Sequence, residues 1–167
     1  MSERGSPERT RRLVLHGSTD VVSRCRDFAR AALTEWQWLP EAGNHHDQGL
    51  HDEGLGAGIA DDALLVVSEI VANARLHGGG ASSLLLRRTA GGLRIEVTDA
   101  SPDAPFLRHP PDPARPGGHG LVIVDRLART WGSEQAEGGK CVWAELDAPP
   151  WARSGGPWEG GAMGPRA

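Results

Sequence analysis

Apolar positions along the chain follow two periods, and the switches between them outline the elements. Arg12-Leu-Val-Leu-His16 is a short β-prone segment, and Ser18, Thr19 or Asp20 can cap a helix after it. Val21, Val22, Cys25, Phe28, Ala29, Ala32, Leu33 and Trp36 recur at helical spacing with Arg and Asp on the other side. That spacing predicts a helix over 21–38, ended by Pro40. Residues 41–58 hold too much Gly for helix or strand and are expected to form a long loop. A second helix is predicted from about Ile59 to His77, with Asp61 and Asp62 at its positive end and Gly78-Gly-Gly80 as its stop. Residues 82–89 and 93–98 are strand-like and joined by Ala90-Gly91-Gly92, a hairpin signal. After a Pro-rich connector over 99–117, residues 120–131 look helical, with Leu121, Val124, Leu127 and Ala128 on one stripe. Residues 132–136 and 140–147 predict a second hairpin around Glu137-Gly-Gly139. Its last strand alternates, with Val142, Ala144 and Leu146 on one face and Cys141, Trp143 and Glu145 on the other.

The order β-α-loop-α-β-β-loop-α-β-β predicts an α+β two-layer sandwich: a mainly antiparallel sheet with helices on one face and the other face open to a partner. A chain of 167 residues suffices for one such domain. Hydrophobic residues make up only 38%, and the polar excess with Gly and Pro gathers at the two ends and in 41–58. The expected layout is a disordered tail over 1–10, a domain over 11–147 interrupted by a flexible insertion at 41–58, and a disordered tail over 148–167. A net charge of −4 argues against a nucleic-acid surface. Lys140 is the only lysine among 18 basic residues, a bias of composition rather than of function. No run approaches the ~18 apolar residues of a membrane span, and Met1-Ser-Glu-Arg-Gly-Ser-Pro lacks the apolar core of a secretory signal. A cytoplasmic protein is expected, with Cys25 and Cys141 as buried reduced thiols.

Three stretches carry candidate chemistry. In Val67-Ser-Glu69-Ile-Val-Ala-Asn73-Ala-Arg-Leu-His77-Gly78, a helix turns about 100° per residue, so Glu69, Asn73 and His77 fall within roughly 80° of one another. Leu64, Val67, Val71 and Ala74 take the opposite side, while Val66 and Ile70 flank the polar stripe and suggest a crevice rather than open water. A carboxylate there can act as a general base, and the Asn amide oxygen suits a hard cation such as Mg²⁺. Asp99, directly after a strand in Ile95-Glu-Val-Thr-Asp99-Ala-Ser-Pro102, either serves the turn or offers an acceptor to an exocyclic amine such as adenine's. In Pro116-Gly-Gly-His-Gly120-Leu-Val-Ile-Val, glycines before a helix leave N–H groups free for phosphate oxygens, although such glycines often serve only as a flexible lead into a helix.

Taken together, these stretches resemble the Bergerat ATPase superfamily of gyrase, histidine kinases and mismatch-repair ATPases. Its pattern is Glu-x-x-x-Asn on a helix, an Asp turn after a strand, and Gly-x-Gly before a helix. Asn73-Ala-x-x-His77-Gly78, Gly118-His-Gly120-Leu-Val-Ile-Val, Trp131-Gly132 and Gly139-Lys-x-Val-Trp-Ala144 resemble its anti-sigma-factor serine/threonine kinase branch. The likeness covers about 11–147. It implies a Bergerat ATP-binding fold with ATP and Mg²⁺ as ligands. Glu69 would be the general base and Asn73 the Mg²⁺ ligand, Asp99 would recognise adenine, and His77, Gly78, Gly118, His119, Gly120 and Leu121 would line the nucleotide. Two departures stand out. Ser101 replaces a common Gly in the Asp turn, and the lid between Asp99 and Gly118 is short and rich in Pro, which stiffens it.

The resemblance implies an ATP-dependent protein kinase that regulates a sigma factor and phosphorylates a small STAS-type antagonist, with homodimerisation within its repertoire. The alternative is a nucleotide-dependent binding module without significant kinase activity, which the stiff lid favours and Glu69 does not. A sensor histidine kinase would need a phospho-accepting His on a dimerising helix ahead of the domain, whereas His16 lies on a predicted strand. The loop containing His45, His46, Asp47, His51, Asp52 and Glu53 could supply zinc ligands, but its Gly-rich flanks give no rigid support and favour an insertion without a metal.

Overall fold

The computed structural model describes residues 9–17, 19–39, 53–105, 120–149 and 152, with the side chains of 53–57 left aside. Among them, five strands and three helices follow the order β1 (Arg9–Val14), α1 (Val21–Glu35), α2 (Glu53–His77), β2 (Ala81–Arg88), β3 (Gly92–Asp99), α3 (Gly120–Leu127), β4 (Thr130–Ala136) and β5 (Gly139–Asp147). The strands form one antiparallel sheet ordered β1-β2-β3-β5-β4. The three helices form the second layer, giving the expected α+β sandwich. Its core lies between the layers, where Leu84, Leu86, Ile95, Val97, Val142 and Ala144 meet Leu33, Val67, Ile70 and Val71, all buried. Each of the Leu, Ile and Val side chains contributes about 1.5–3 kcal/mol when fully removed from water.

The central helix is α2. It touches α1 on one side, α3 on another, and β2, β3 and β5 beneath. It begins at Glu53, earlier than the sequence suggests. Gly54, Gly56 and Gly58 each weaken a helix by about 1 kcal/mol relative to Ala, yet this one is nucleated by the strongly apolar run that follows. Residues 40–52, with most of the His-rich segment, lie outside the described residues.

The end of α1 is also sharper than its apolar period implies. Gln37 takes a left-handed conformation at φ 60°. Its N–H bonds the Thr34 carbonyl at 3.0 Å, and the Trp38 N–H reaches back to Leu33 at 2.8 Å. This is a Schellman motif: it closes the helix at Glu35 and turns Trp36 and Trp38 into the core, where both are buried. At the other end Asp20 occupies the capping position, but only its carbonyl takes part, accepting from Arg24 N–H, and its side chain makes no cap bond.

Other boundaries move slightly. β1 starts at Arg9 and β4 at Thr130, and α3 stops at Leu127 rather than 131. Both early-starting strands are at sheet edges, where polar residues need satisfy only one neighbour. Ala148 is buried and donates its N–H to Gly91, so the folded unit reaches just past 11–147 at both ends. In the C-terminal tail Ala152 donates its N–H to the Pro149 carbonyl at 2.9 Å and packs against the core; residues 1–8, 150–151, 153–167 and the connector from Phe106 to His119 lie outside the described residues. Cys25 is buried, and burial pushes its thiol up to about 11 despite Arg24 nearby. Cys141 differs from expectation in being only half-buried, because it faces away from the helices. Both thiols are free.

Candidate functional site

The polar stripe of α2 lies where its spacing puts it. Glu69 and Asn73 are half-buried, His77 is exposed on the last turn, and Leu64, Val66, Val67, Ile70, Val71 and Ala74 are buried around them. Each end of the stripe meets a different partner segment.

At one end Glu69 faces the start of α3. A Cβ placed on Gly120 would come within 2.8 Å of Glu69 Oε2. The first turn of α3 carries N–H groups with no intrahelical partner, so the carboxylate sits in a field that favours negative charge. Gly120, with no side chain, is what lets the Glu69 carboxylate come this close to the start of α3. Leu121, next along, is buried rather than open to the site. Gly118 and His119 lie outside the described residues.

At the other end Gly78 packs on Asp99. A Cβ there would fall 2.4 Å from Asp99 Cγ and 2.5 Å from Oδ2, so no other residue fits without moving the carboxylate. A backbone hydrogen bond from Ala100 N–H to the Gly78 carbonyl, 3.0 Å, fixes this approach. Asp99 belongs to the inward face of β3, with Leu93, Ile95 and Val97, and its side chain has no exposure. Its Oδ1 accepts from Ser101 N–H at 2.9 Å and from Lys140 Nζ at 3.0 Å. Its Oδ2 is buried with no hydrogen-bond partner among the described residues. An orphaned buried acceptor costs about 1–3 kcal/mol, which a donor from a ligand would recover. One amine of a purine is such a donor, so the site fits an adenine base. Ser101, the departure from the common Gly, contributes here through its backbone N–H, which any residue could supply.

Between the two ends, Asn73 stands one turn from Glu69 and one turn from the Gly78 region, with an amide oxygen suited to Mg²⁺. Gly78 lies nine residues from Glu69, so base end and phosphate end are separated by roughly 13 Å of helix. That is a nucleotide-sized span. Among the described residues no cluster of three or more His, Cys, Asp or Glu side chains is placed to hold a metal ion.

Lys140 is the residue that the sequence reading passed over. It pairs with Asp99 in the β3–β5 register and is 3% exposed. The signal was present: Lys140 continues the alternation of Val142, Ala144 and Leu146 toward the helices, and it is the chain's only lysine.

A two-layer α+β sandwich whose central helix runs from a buried, half-satisfied carboxylate to a glycine-started helix suits a nucleotide-binding domain. The chain belongs to the histidine kinase-like ATPase domain family, whose sequence profile matches residues 18–146. No curated protein matches the sequence. No helix among the described residues is long and apolar enough to cross a membrane.

Proposed function

We propose that this ATPase-family domain is a serine/threonine protein kinase that uses MgATP to phosphorylate a small STAS-type antagonist, and that it thereby governs access to a sigma factor. The observation that carries the reading is the division of the α2 stripe. The orphaned Asp99 Oδ2 against Gly78 suits the base, and Glu69 against Gly120 suits the reacting end. Asn73, between them, would hold Mg²⁺, which neutralises charge on the phosphates. Glu69 would take the proton from an incoming Ser or Thr hydroxyl. The hydroxyl oxygen then bonds the γ-phosphorus while the bond to the bridging oxygen breaks, and ADP departs. Phosphorylation adds roughly −1.5 to −2 charges, enough to disrupt an interface built around a neutral hydroxyl. The family likeness makes a homodimer part of this proposal, and the net charge keeps nucleic acid out of it.

Glu69→Gln and Asn73→Ala separate the two tasks. In assays with MgATP and a cognate antagonist, Glu69→Gln should keep ATP binding while phosphotransfer falls about 10²–10⁴-fold. Asn73→Ala should lose much of the Mg²⁺-dependent part of ATP affinity. A Glu69→Gln rate within a few-fold of wild type would remove the base assignment.

One observation favours a nucleotide-dependent binding module instead. Gln135 Nε2 donates to the Pro102 carbonyl at 2.9 Å, tying the start of the segment after Asp99 to β4, and Pro102 and Pro105 add stiffness. Tight nucleotide binding with no phosphate transfer by the wild-type protein would establish that reading.

A further inference from the structure

We propose that Lys140 is a positioning residue for base recognition: it holds Asp99 as a one-sided carboxylate and so makes the site select a 6-amino over a 6-oxo purine. This rests on the nucleotide-binding reading above and assigns a role to a side chain outside the polar stripe. Lys140 and Asp99 are opposite one another on β5 and β3, both pointing into the helix layer, with exposures of 3% and 0%. Ionised groups removed this far from water persist only as a pair. The ammonium reaches Oδ1 at 3.0 Å and also lies 3.5 Å from the Ser101 carbonyl, so it fastens the carboxylate and the turn behind it together.

The choice of lysine matters in a chain whose other basic residues are all arginine. A guanidinium presents a planar fork that engages both oxygens of a carboxylate, whereas an ammonium is a point charge that can take one. Here both donors, Lys140 Nζ and Ser101 N–H, converge on Oδ1 and leave Oδ2 without a partner. A carboxylate so held can only accept, so it rewards an amine and repels a carbonyl oxygen. Without the ammonium the carboxylate loses the contact that turns both donors onto Oδ1, and the one-sided acceptor that favours an amine over a 6-oxo group is lost with it.

The test compares binding of MgADP and MgIDP, which differ in the 6-substituent and in the N1 proton that accompanies the 6-oxo form, by calorimetry on wild type, Lys140→Met and Lys140→Gln. Wild type should prefer ADP by about tenfold or more, the scale of one charge-assisted hydrogen bond. Lys140→Met should lose ADP affinity by a similar factor, with the ADP-to-IDP ratio falling to within a few-fold of one. Lys140→Gln keeps a neutral donor of similar reach and serves if the Met variant does not fold. It too should lose most of the preference, since the charge is gone. An equal loss for both nucleotides, with the ratio kept, marks a merely structural role and overturns the proposal. So does an unchanged ratio in Lys140→Gln. In both cases ADP still binds wild type and the nucleotide-binding reading stands. Failure of wild type to bind either nucleotide removes both.

Discussion

At the residue scale the site depends on close approaches that leave no slack. Asp99→Asn should weaken ATP and ADP alike by roughly tenfold or more, because an amide replaces the charged acceptor worth about 1.5–3 kcal/mol. Unchanged affinity in calorimetry would mean that the base pocket lies elsewhere. Gly78→Ala should have a related effect without touching a polar group. Its methyl would fall on Asp99 Cγ and on the Ala74 carbonyl, 2.4 and 2.7 Å away, and Asp99 is locked by Lys140 and Ser101. Such overpacking costs about 1–3 kcal/mol, so a lower midpoint in urea and weaker nucleotide binding are expected together. The placement of Glu69, Asn73 and Asp99 was legible in the sequence because it follows spacing: four residues on a helix, the last residue of a strand. Lys140 was not, because a lysine is almost never fully buried and its partner lies 41 residues away. The contact with Gly78 was hidden for a different reason. The glycine reads as a helix stop, and nothing local reveals what leans on it.

At the scale of single elements, local rules and tertiary packing trade places. Gln37 closes α1 with φ at 60°, a conformation that glycine adopts freely and other residues adopt at a cost. Gln37→Gly should therefore raise stability by about 0.5–1 kcal/mol, read as a higher urea midpoint with unchanged slope. A fall would mean that the Gln37 side chain contributes more than the backbone strain removes. The apolar period could not place this stop. Trp36 and Trp38 both belong to the core, one on the helix rhythm and the other delivered by the turn. At α2 the conflict ran the other way. Three glycines argued for loop over 53–58, and the continuity of the helix with its packed portion prevailed. Strands were easier to read: β5 alternates as its sequence does, since each inward residue meets the helix layer and each outward one does not.

At the scale of the whole molecule, the sheet face turned away from the helices carries a charged network. Arg94 lies 4.3 Å from the Trp143 ring centre and bonds Glu96 at 2.7 Å and Glu145 at 3.0 Å, while Arg129 reaches Glu145 and Asp147. The hydrogen bond from Arg94, opposed by partial burial and aided by Arg129, holds Glu145 below the usual carboxylate range. A lowered value in the folded state means stability present above the ordinary glutamate value and lost as the pH falls below about 4.5. Glu145→Gln should lose up to about 1 kcal/mol at neutral pH and show a shallower decline in acid, measured by urea midpoints between pH 3 and 7. The strand order carries a further consequence, one for how the chain is made. β5, the last of the described strands, sits between β3 and β4, so β4 has no neighbour among them until β5 arrives. A nascent chain still tethered before Lys140 therefore exposes the edge of β3 and leaves Asp99 without its counter-charge. The sheet can close only after β5 has left the ribosome. A nucleotide that needs Asp99 held by Lys140 would stabilise the domain only once β5 has docked, by about 2.7 kcal/mol when present at a hundred times its dissociation constant.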